Sequence, residues 1–327
     1  MRLRILLRSC YFSTLCLLTL PAHADITVGL LTTRADEQAL EDWQPILNDL
    51  SLAIGQPVKG WVSNDREALL RKIQNNEIQI ARVDNKLALD AVESGKSDVF
   101  ASLIQSGNLK TYRSVMLVRK DSPIKNAEQL LDQPKKLRYA SGKSTSTADF
   151  YIPQYHLFMK KNILPEQYFK QIIVGNAEQS FTALAKNQAD VAVSNSFDLE
   201  QLKEKYPRDF SQMRVIWQSP EFTFDPLIMR SDLAAPLKGK INQFFLDYGR
   251  TGSNTALAKQ RLYYADQLAG FTAADNRSLR QVTDLQLFHD LFRLTFNTKL
   301  DPSIKAQQEK AYYARYNQLV TLLGGAK

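Results

Sequence analysis

Between Ile26 and Met229 the chain alternates short apolar runs with helical patterns, and no other feature constrains its fold as much. Ile26–Leu31 is almost wholly apolar, as a buried strand should be. Leu40, Trp43, Leu47 and Leu50 then recur at spacings of three and four, the stripe of one helix face, and Gly55 supplies a C-cap. The pattern continues as strand 58–62, helix 67–73, strand 78–81, helix 87–92 and strand 99–103. A further strand lies in 112–118, and Asp121-Ser122-Pro123 breaks it. A second series follows: helix 127–131, strand 137–140, helix 150–159, strand 172–174, helix 181–185 and strand 191–193, with strands at 215–217 and 225–229. Such alternation marks βαβ units and a largely parallel sheet. From Leu233 onward the periodicity is helical, roughly 236–250, 253–268, 277–294 and 303–323. Two α/β lobes joined by extended strands, with a helical C-terminal segment, imply a cleft between lobes. Clefts at domain interfaces are preferred small-ligand sites.

The N-terminus reads as an export signal. Arg2, Arg4 and Arg8 form a positive region, Tyr11 to Leu20 an apolar one, and Pro21-Ala22-His23-Ala24 a small-x-small cleavage site before Asp25. A membrane anchor is the competing reading, but the apolar stretch is shorter than the about 20 residues of a typical span. Neither Cys10 nor Cys16 follows the small residue that a lipoprotein signal needs. Cleavage after Ala24 removes three arginines and no acid, so 42 basic residues become 39 against 34 acidic, a net of +5. Both cysteines leave with the signal, which excludes disulfides, thiol chemistry and Cys-ligated metals from the mature chain. His156 and His289 are then the remaining histidines, a poor supply for His-dependent catalysis or a multi-His metal site. The basic residues are dispersed and lack the stripe that nucleic-acid binding uses. The expectation is an exported, periplasmic protein of two lobes, since about 300 residues exceed what one core usually holds.

One stretch concentrates chemistry. Ser141-Gly142-Lys143-Ser144-Thr145-Ser146-Thr147-Ala148-Asp149 packs five hydroxyls into seven residues after a strand and before the helix 150–159. Gly142-Lys143-Ser144 matches the end of a nucleotide P-loop, but Leu137 stands where the first glycine makes the tight turn. Two readings of the hydroxyls stand on local chemistry. They hold an anion at a helix N-terminus, whose N–H groups and partial positive charge favour it, or they serve only to cap the helix, with Ser146 at the cap and Asp149 three residues on. Pro153 removes a donor inside this helix. No G-x-S-x-G elbow surrounds these serines, so a nucleophile is not indicated.

Ser146-Thr147-Ala148-Asp149-Phe150-Tyr151-Ile152-Pro153 resembles the "STSGxxxP" signature of phosphate/phosphite/phosphonate-binding proteins of ABC uptake systems. Other segments are similar to that family in order along the chain. Asp84 to Ala91 is similar to its "GNKAAMEA", and Tyr112-Arg113-Ser114 with Lys120 to Ile124 to its "GYxS…KDSPI". Asn187 to Ala192 ("NQADVA") resembles a "NGEVDAA"-type strand entry, and Ser219 to Leu233 ("SPEFTFDPLIMRSDL") resembles "SP…DPLVxRxDL". Phe271 to Asn276 is also familiar from the family. The resemblance covers nearly the whole mature chain.

It implies a type II periplasmic binding protein, two α/β lobes closing on ligand about a two-strand hinge. Strands near 115–119 and 225–229 are the expected crossings, giving one lobe from 25–118 with 226–327 and the other from 119–225. The implied function is a receptor delivering a small oxyanion, phosphate, phosphite or phosphonate-like, to an ABC permease in the inner membrane. It is no enzyme and needs no cofactor. The alternative is a diverged binding protein that senses ligand for a membrane-bound sensor kinase. Carried over residue by residue, Ser146 and Thr147 take the hydroxyl positions, Ala148 keeps only an N–H, Asp225 matches an acidic ligand-side residue and Tyr112 the tyrosine of "GYxS". Ser144 belongs to the same hydroxyl-rich turn. Arg66 falls where the family has tyrosine and could bind an oxyanion bidentately. Val83 replaces an aromatic, Ala177 a histidine, and Phe197 an acid that pairs with a ligand amine in some members. On that basis an aminoalkyl ligand is disfavoured. Leu285, Leu287, Phe288, Leu291, Phe292, Leu294 and Phe296 form an amphipathic stripe that packs on its own lobe or makes a homodimer.

Overall fold

The structure is a computed structural model describing residues 25–32, 34–252 and 254–324, so the export signal expected at 1–24 lies outside the described residues. Its first part builds as the alternation predicts: β1 (Ile26–Leu31), α1 (Asp36–Ile54), β2 (Val58–Ser63), α2 (Arg66–Gln74), β3 (Ile80–Arg82), α3 (Asn85–Glu93) and β4 (Ser97–Gln105). The α1 stripe of Trp43, Ile46, Leu47 and Leu50 is buried, and it packs in one core with Ile26, Val28 and Leu30. Gly55 ends the helix with φ 72°, the left-handed conformation that glycine adopts without steric cost. Asp65 caps α2 and Asp84 caps α3 by accepting from the N–H of Ala68 (3.1 Å) and Leu87 (2.8 Å).

The chain then leaves for a second sheet and returns. β5 (Thr111–Tyr112) leads into β6 (Ser114–Arg119), α4 (Ala127–Leu131) and β7 (Arg138–Gly142). After a helical segment come α5 (Pro165–Tyr168), β8 (Gln171–Gly175), α6 (Ala177–Ala185), β9 (Val191–Asn195), α7 (Ser196–Lys205), α8 (Pro207–Phe210) and β10 (Met213–Gln218). The return runs through β11 (Phe222–Thr223) to β12 (Pro226–Arg230). Helices α9 (Ala235–Asp247) and α10 (Thr255–Asp266), strand β13 (Leu268–Ala273), and helices α11 (Arg280–Phe296) and α12 (Pro302–Leu322) complete the chain.

The six-stranded sheet has the order β13-β4-β12-β3-β1-β2 and the five-stranded sheet β10-β6-β9-β7-β8. β1 runs parallel to both β2 and β3, and β7 to both β8 and β9. β12 runs antiparallel to both its neighbours β3 and β4, β6 to both β10 and β9, and the edge strand β13 to β4. The two α/β lobes and helical C-terminal segment of a type II binding fold are therefore present.

Three expectations need correction. First, β6 and β12 lie inside their sheets, so the crossings fall earlier, in the two-stranded ribbon of β5 with β11. The division expected at 118/119 cuts through a strand of the second sheet. Second, the helix expected over 253–268 stops at Asp266, where Gln267 takes a left-handed conformation (φ 54°), and β13 then pairs with β4 as the sheet edge. Third, the helix over 150–159 is not a regular α-helix. It is π-helical over Thr147–Tyr151 and Gln154–Phe158, on either side of Pro153. Proline has no N–H for the i−4 ladder, and wider i−5 bonds such as Tyr151 N–H to Ser146 O (3.1 Å) flank it.

Side chains stitch the two crossings together. Ser219, 2% exposed, accepts from the Ser114 N–H at 2.9 Å and donates to the Pro220 carbonyl at 2.6 Å. The Arg113 guanidinium spans the same gap to the Ser219 carbonyl and Glu221, each at 2.9 Å. Removing the Ser219 hydroxyl orphans a buried N–H, which costs about 1–3 kcal/mol. Urea unfolding of Ser219→Ala should show a loss of that size, and an unchanged midpoint would show that the seam carries no stability.

Candidate functional site

The signature segment lies where the two sheets face each other. Ala148, Phe150, Tyr151 and Ile152 pack into the same core as α1, β1 and the crossing ribbon. Ser146 caps the segment by accepting from the Asp149 N–H at 3.0 Å, so its hydroxyl serves the helix as the capping pattern predicts. Thr147 is buried, and its Oγ1 has no hydrogen-bond partner among the described residues. Ala148 is half-buried and offers its N–H alone. Gly142 is required behind them: a Cβ there would sit 2.4 Å from the Asp149 Cβ and 2.8 Å from its carbonyl oxygen.

Tyr112 belongs to the crossing itself. It is buried, its ring 5.2 Å from Phe224 and 6.5 Å from Phe222, with Phe197 of α7 against Phe224 at 5.6 Å. Burial pushes its phenol well up, and three carboxylates add to the shift: Asp225 from the β12 side, and Asp149 and Asp198 from the second lobe. A proton held on the Tyr112 oxygen at every physiological pH makes it a hydrogen-bond donor in the cleft.

Asp149 is the group that sequence reasoning passed over. In "STSGxxxP" its position is glycine, and here a carboxylate stands at the start of the segment. It is 9% exposed, and its Oδ1 has no partner among the described residues. Burial first, then the neighbouring Asp198 carboxylate, push its pKa up to about 7, and hydrogen bonding toward Asn195 and Ser146 offsets only part of this. Asp198 is also pushed up by burial, although Asn195 donates to it at 2.7 Å. Asn195 caps α7 through the N–H groups of Phe197 and Asp198 (3.1 and 2.9 Å), and so fixes the second carboxylate.

The arginines face this region from the first lobe, already engaged. Arg66, at the first turn of α2, is paired with the Asp84 that caps α3. Burial lowers its pKa, while Asp90, Asp225, Tyr151 and Glu67 oppose the shift. Arg82, at the end of β3, reaches Asp266 at 3.0 Å and Asp225 at 3.9 Å, and donates to the Leu31 carbonyl at 2.7 Å. Burial alone would lower it, but those two carboxylates raise it on balance. Half-buried Asp225 is itself pushed up, by burial and then Asp266 against the pull of Arg82. An oxyanion reaching for Arg66 competes with Asp84.

Of the sequence-derived set, Tyr112 and Ala148 pack into one core, Asp225 acts on both Tyr112 and Arg66, and Ser146 and Thr147 precede Ala148 in the same segment. Ser144 does not join them. It is exposed and lines a separate groove of about 460 Å³ with Phe150, Gln154, His289 and Arg293. That groove runs under α11, whose His289 ring lies 5.5 and 5.2 Å from Phe150 and Tyr151 and whose Arg293 pairs with Glu166 at 2.7 Å. The C-terminal stripe is thus partly used within the chain.

Two lobes, two stitched crossings and a buried polar site between them define a solute-binding protein of the periplasmic type. The chain matches the family described as "ABC transporter, phosphonate, periplasmic substrate-binding protein" over residues 28–279, and it belongs to that family. It is 31% identical over 304 residues to the phosphonates-binding periplasmic protein of Escherichia coli (strain K12), covering 91% of this chain and 88% of that one. A binding-protein component of an ABC phosphonate transporter from Pseudomonas aeruginosa superposes with a TM-score of 0.73 at 30% identity, over 91% of this chain and 97% of that one. A Prochlorococcus marinus protein in complex with methylphosphonate shares the fold, with a TM-score of 0.65 at 16% identity over 80% and 96% of the two chains. Among the described residues no helix is long and apolar enough to cross a membrane.

The buried carboxyl pair has a measurable consequence. A carboxyl whose pKa is higher folded than unfolded stabilises the fold below about 4, and that contribution fades as pH rises through its folded value. Asp149 should therefore make the ligand-free protein lose stability between about pH 4 and about 7. Urea titrations should show this decline reduced in Asp149→Asn. Parallel pH profiles for the two proteins would contradict the burial of a titrating Asp149.

Proposed function

We propose that this protein is the periplasmic receptor of an ABC importer and that it binds a small oxyanion of the phosphonate type between its lobes. The observation that carries the reading is the signature segment packed into the same core as the crossing ribbon, with a buried Thr147 hydroxyl that has no partner among the described residues. Hydroxyl and N–H donors in a dry cleft are the groups that hold tetrahedral oxyanions. Asp225 and Arg66 orient the ligand from the first lobe. Closure about the β5/β11 ribbon brings the two sets together, with lobes dividing at this ribbon. The family consists of solute-binding receptors, and the cleft requires no nucleophile for this role. The inner-membrane permease is the partner this function needs; a sensor kinase is the alternative that a diverged pocket leaves open. Self-association through the C-terminal helices would use the exposed Phe288, Tyr313 and Leu322.

Calorimetry on the mature protein with phosphate, phosphite, methylphosphonate and 2-aminoethylphosphonate tests the reading. At least one should bind at about micromolar affinity and weaken roughly tenfold or more in Thr147→Ala, about the cost of one lost hydrogen bond in a dry site. No heat with any of the four would sink the oxyanion assignment while leaving the fold intact.

A further inference from the structure

One helix joins the lobes a second time, apart from the crossing ribbon. The start of α11 belongs to the first lobe: Leu279, just before it, and Val282 within it share a core with Leu87 and Ala91 of α3. α12 packs along α11 and ends in that same core through Leu319, and its Arg315 holds Glu93 of α3 at 2.6 and 2.7 Å. Arg280 donates to the Tyr316 hydroxyl at 2.8 Å, and that hydroxyl donates to Asp284 at 2.7 Å, which locks the two helices together at this end. From Val282 to Arg293 a helix advances about 16 Å, and there α11 meets the second lobe. The Phe288 ring lies 5.0 Å from Tyr155, His289 packs edge-on against Phe150 and Tyr151, and Arg293 pairs with Glu166 of α5 at 2.7 Å.

We infer that the far end of α11 is a clasp that holds the signature segment in its closed position, with Arg293 and His289 as positioning residues for ligand binding. This rests on the oxyanion reading above for what the segment holds. Both C-terminal helices are anchored on the first lobe, so α11 stays with that lobe when the two part about the β5/β11 ribbon. The contacts of Phe288, His289 and Arg293 are then the ones that break. They are built for it. The Arg293 and Glu166 side chains are 48% and 42% exposed, and an ion pair so exposed shifts an equilibrium by about fivefold at most. His289 Nε2 is buried with no partner among the described residues, a cost that water relieves on opening. A permanent interface would leave no such atom unpaired. The contacts fall on Phe150 and Tyr151, in the same π-helical turn as Thr147, so the clasp acts on the segment that carries the proposed ligand donors. A ligand that needs both lobes gains whatever the clasp contributes to closing. Affinity is thereby set from outside the cleft, by side chains that do not touch the ligand.

The test reverses the pair and then swaps it in the mature protein: Arg293→Glu, Glu166→Arg and the double variant. Both side chains are exposed, so the variants keep the fold. Spin labels on Leu52→Cys of α1 and Lys136→Cys ahead of β7, both exposed positions, report the distance between lobes by pulsed electron paramagnetic resonance. Calorimetry reports the affinity for methylphosphonate. Like charges at contact in either single variant should shift the distances toward longer separations and weaken methylphosphonate about fivefold. The swap should bring both readings back to within about twofold of the wild type. Single variants with wild-type distances, single variants that lengthen the distance yet bind as tightly as the wild type, or a swap as impaired as the single variants would each overturn the clasp. No methylphosphonate heat from the wild type would count against the oxyanion reading, and the distances would then decide the clasp alone.

Discussion

The antiparallel insertion of β12 between β3 and β4 is the constraint on which the rest depends. It requires the chain to leave the first sheet after β4, build a whole second sheet, and come back into the middle of the first. The outward and return segments must then run side by side, and the β5/β11 ribbon with its Ser114–Ser219 and Arg113 contacts is the result. Whatever sits on that ribbon faces both lobes. Tyr112 does, and so the place proposed for the ligand follows from the topology before any ligand chemistry is considered.

Much of this was legible in the sequence because it is local. The α1 stripe, the Asp65 and Asp84 caps and the βαβ alternation each depend on residues within a turn or two of one another. The crossings were displaced by a few residues because β6 and β12 are as apolar as any core strand, and pairing partners decide which sheet a strand joins. β13 was hidden for a different reason. The helical pattern of α10 runs up to it without glycine or proline, and the break is made by Gln267 in a conformation that its residue type does not advertise.

The site was half legible. Tyr112, Asp225, Ser146, Thr147 and Ala148 come from motifs, and of these Tyr112 and Ala148 share one core. The Asp149–Asp198 pair could not be found that way, because the two acids lie far apart in the chain and meet only through the packing of β7, β9 and α7. Its signal was nevertheless present, as a carboxylate at the glycine of a signature otherwise nearly kept. Arg66 shows the converse: a cation in the right region whose charge is already shared with Asp84, and which is therefore a weaker anion ligand than its position suggests. The electrostatics of the cleft follow from these two facts together. Its first-lobe arginines, Arg66 and Arg82, are engaged by carboxylates, and Asp149 and Asp198 are held in the second lobe with Asn195 as their amide neighbour.

A crystal structure of the mature protein with methylphosphonate tests the central claim most directly. The account predicts the ligand between the lobes, its phosphonate oxygens within hydrogen-bond reach of Thr147 and Tyr112. A ligand lodged in the groove of Ser144, His289 and Arg293 would contradict it.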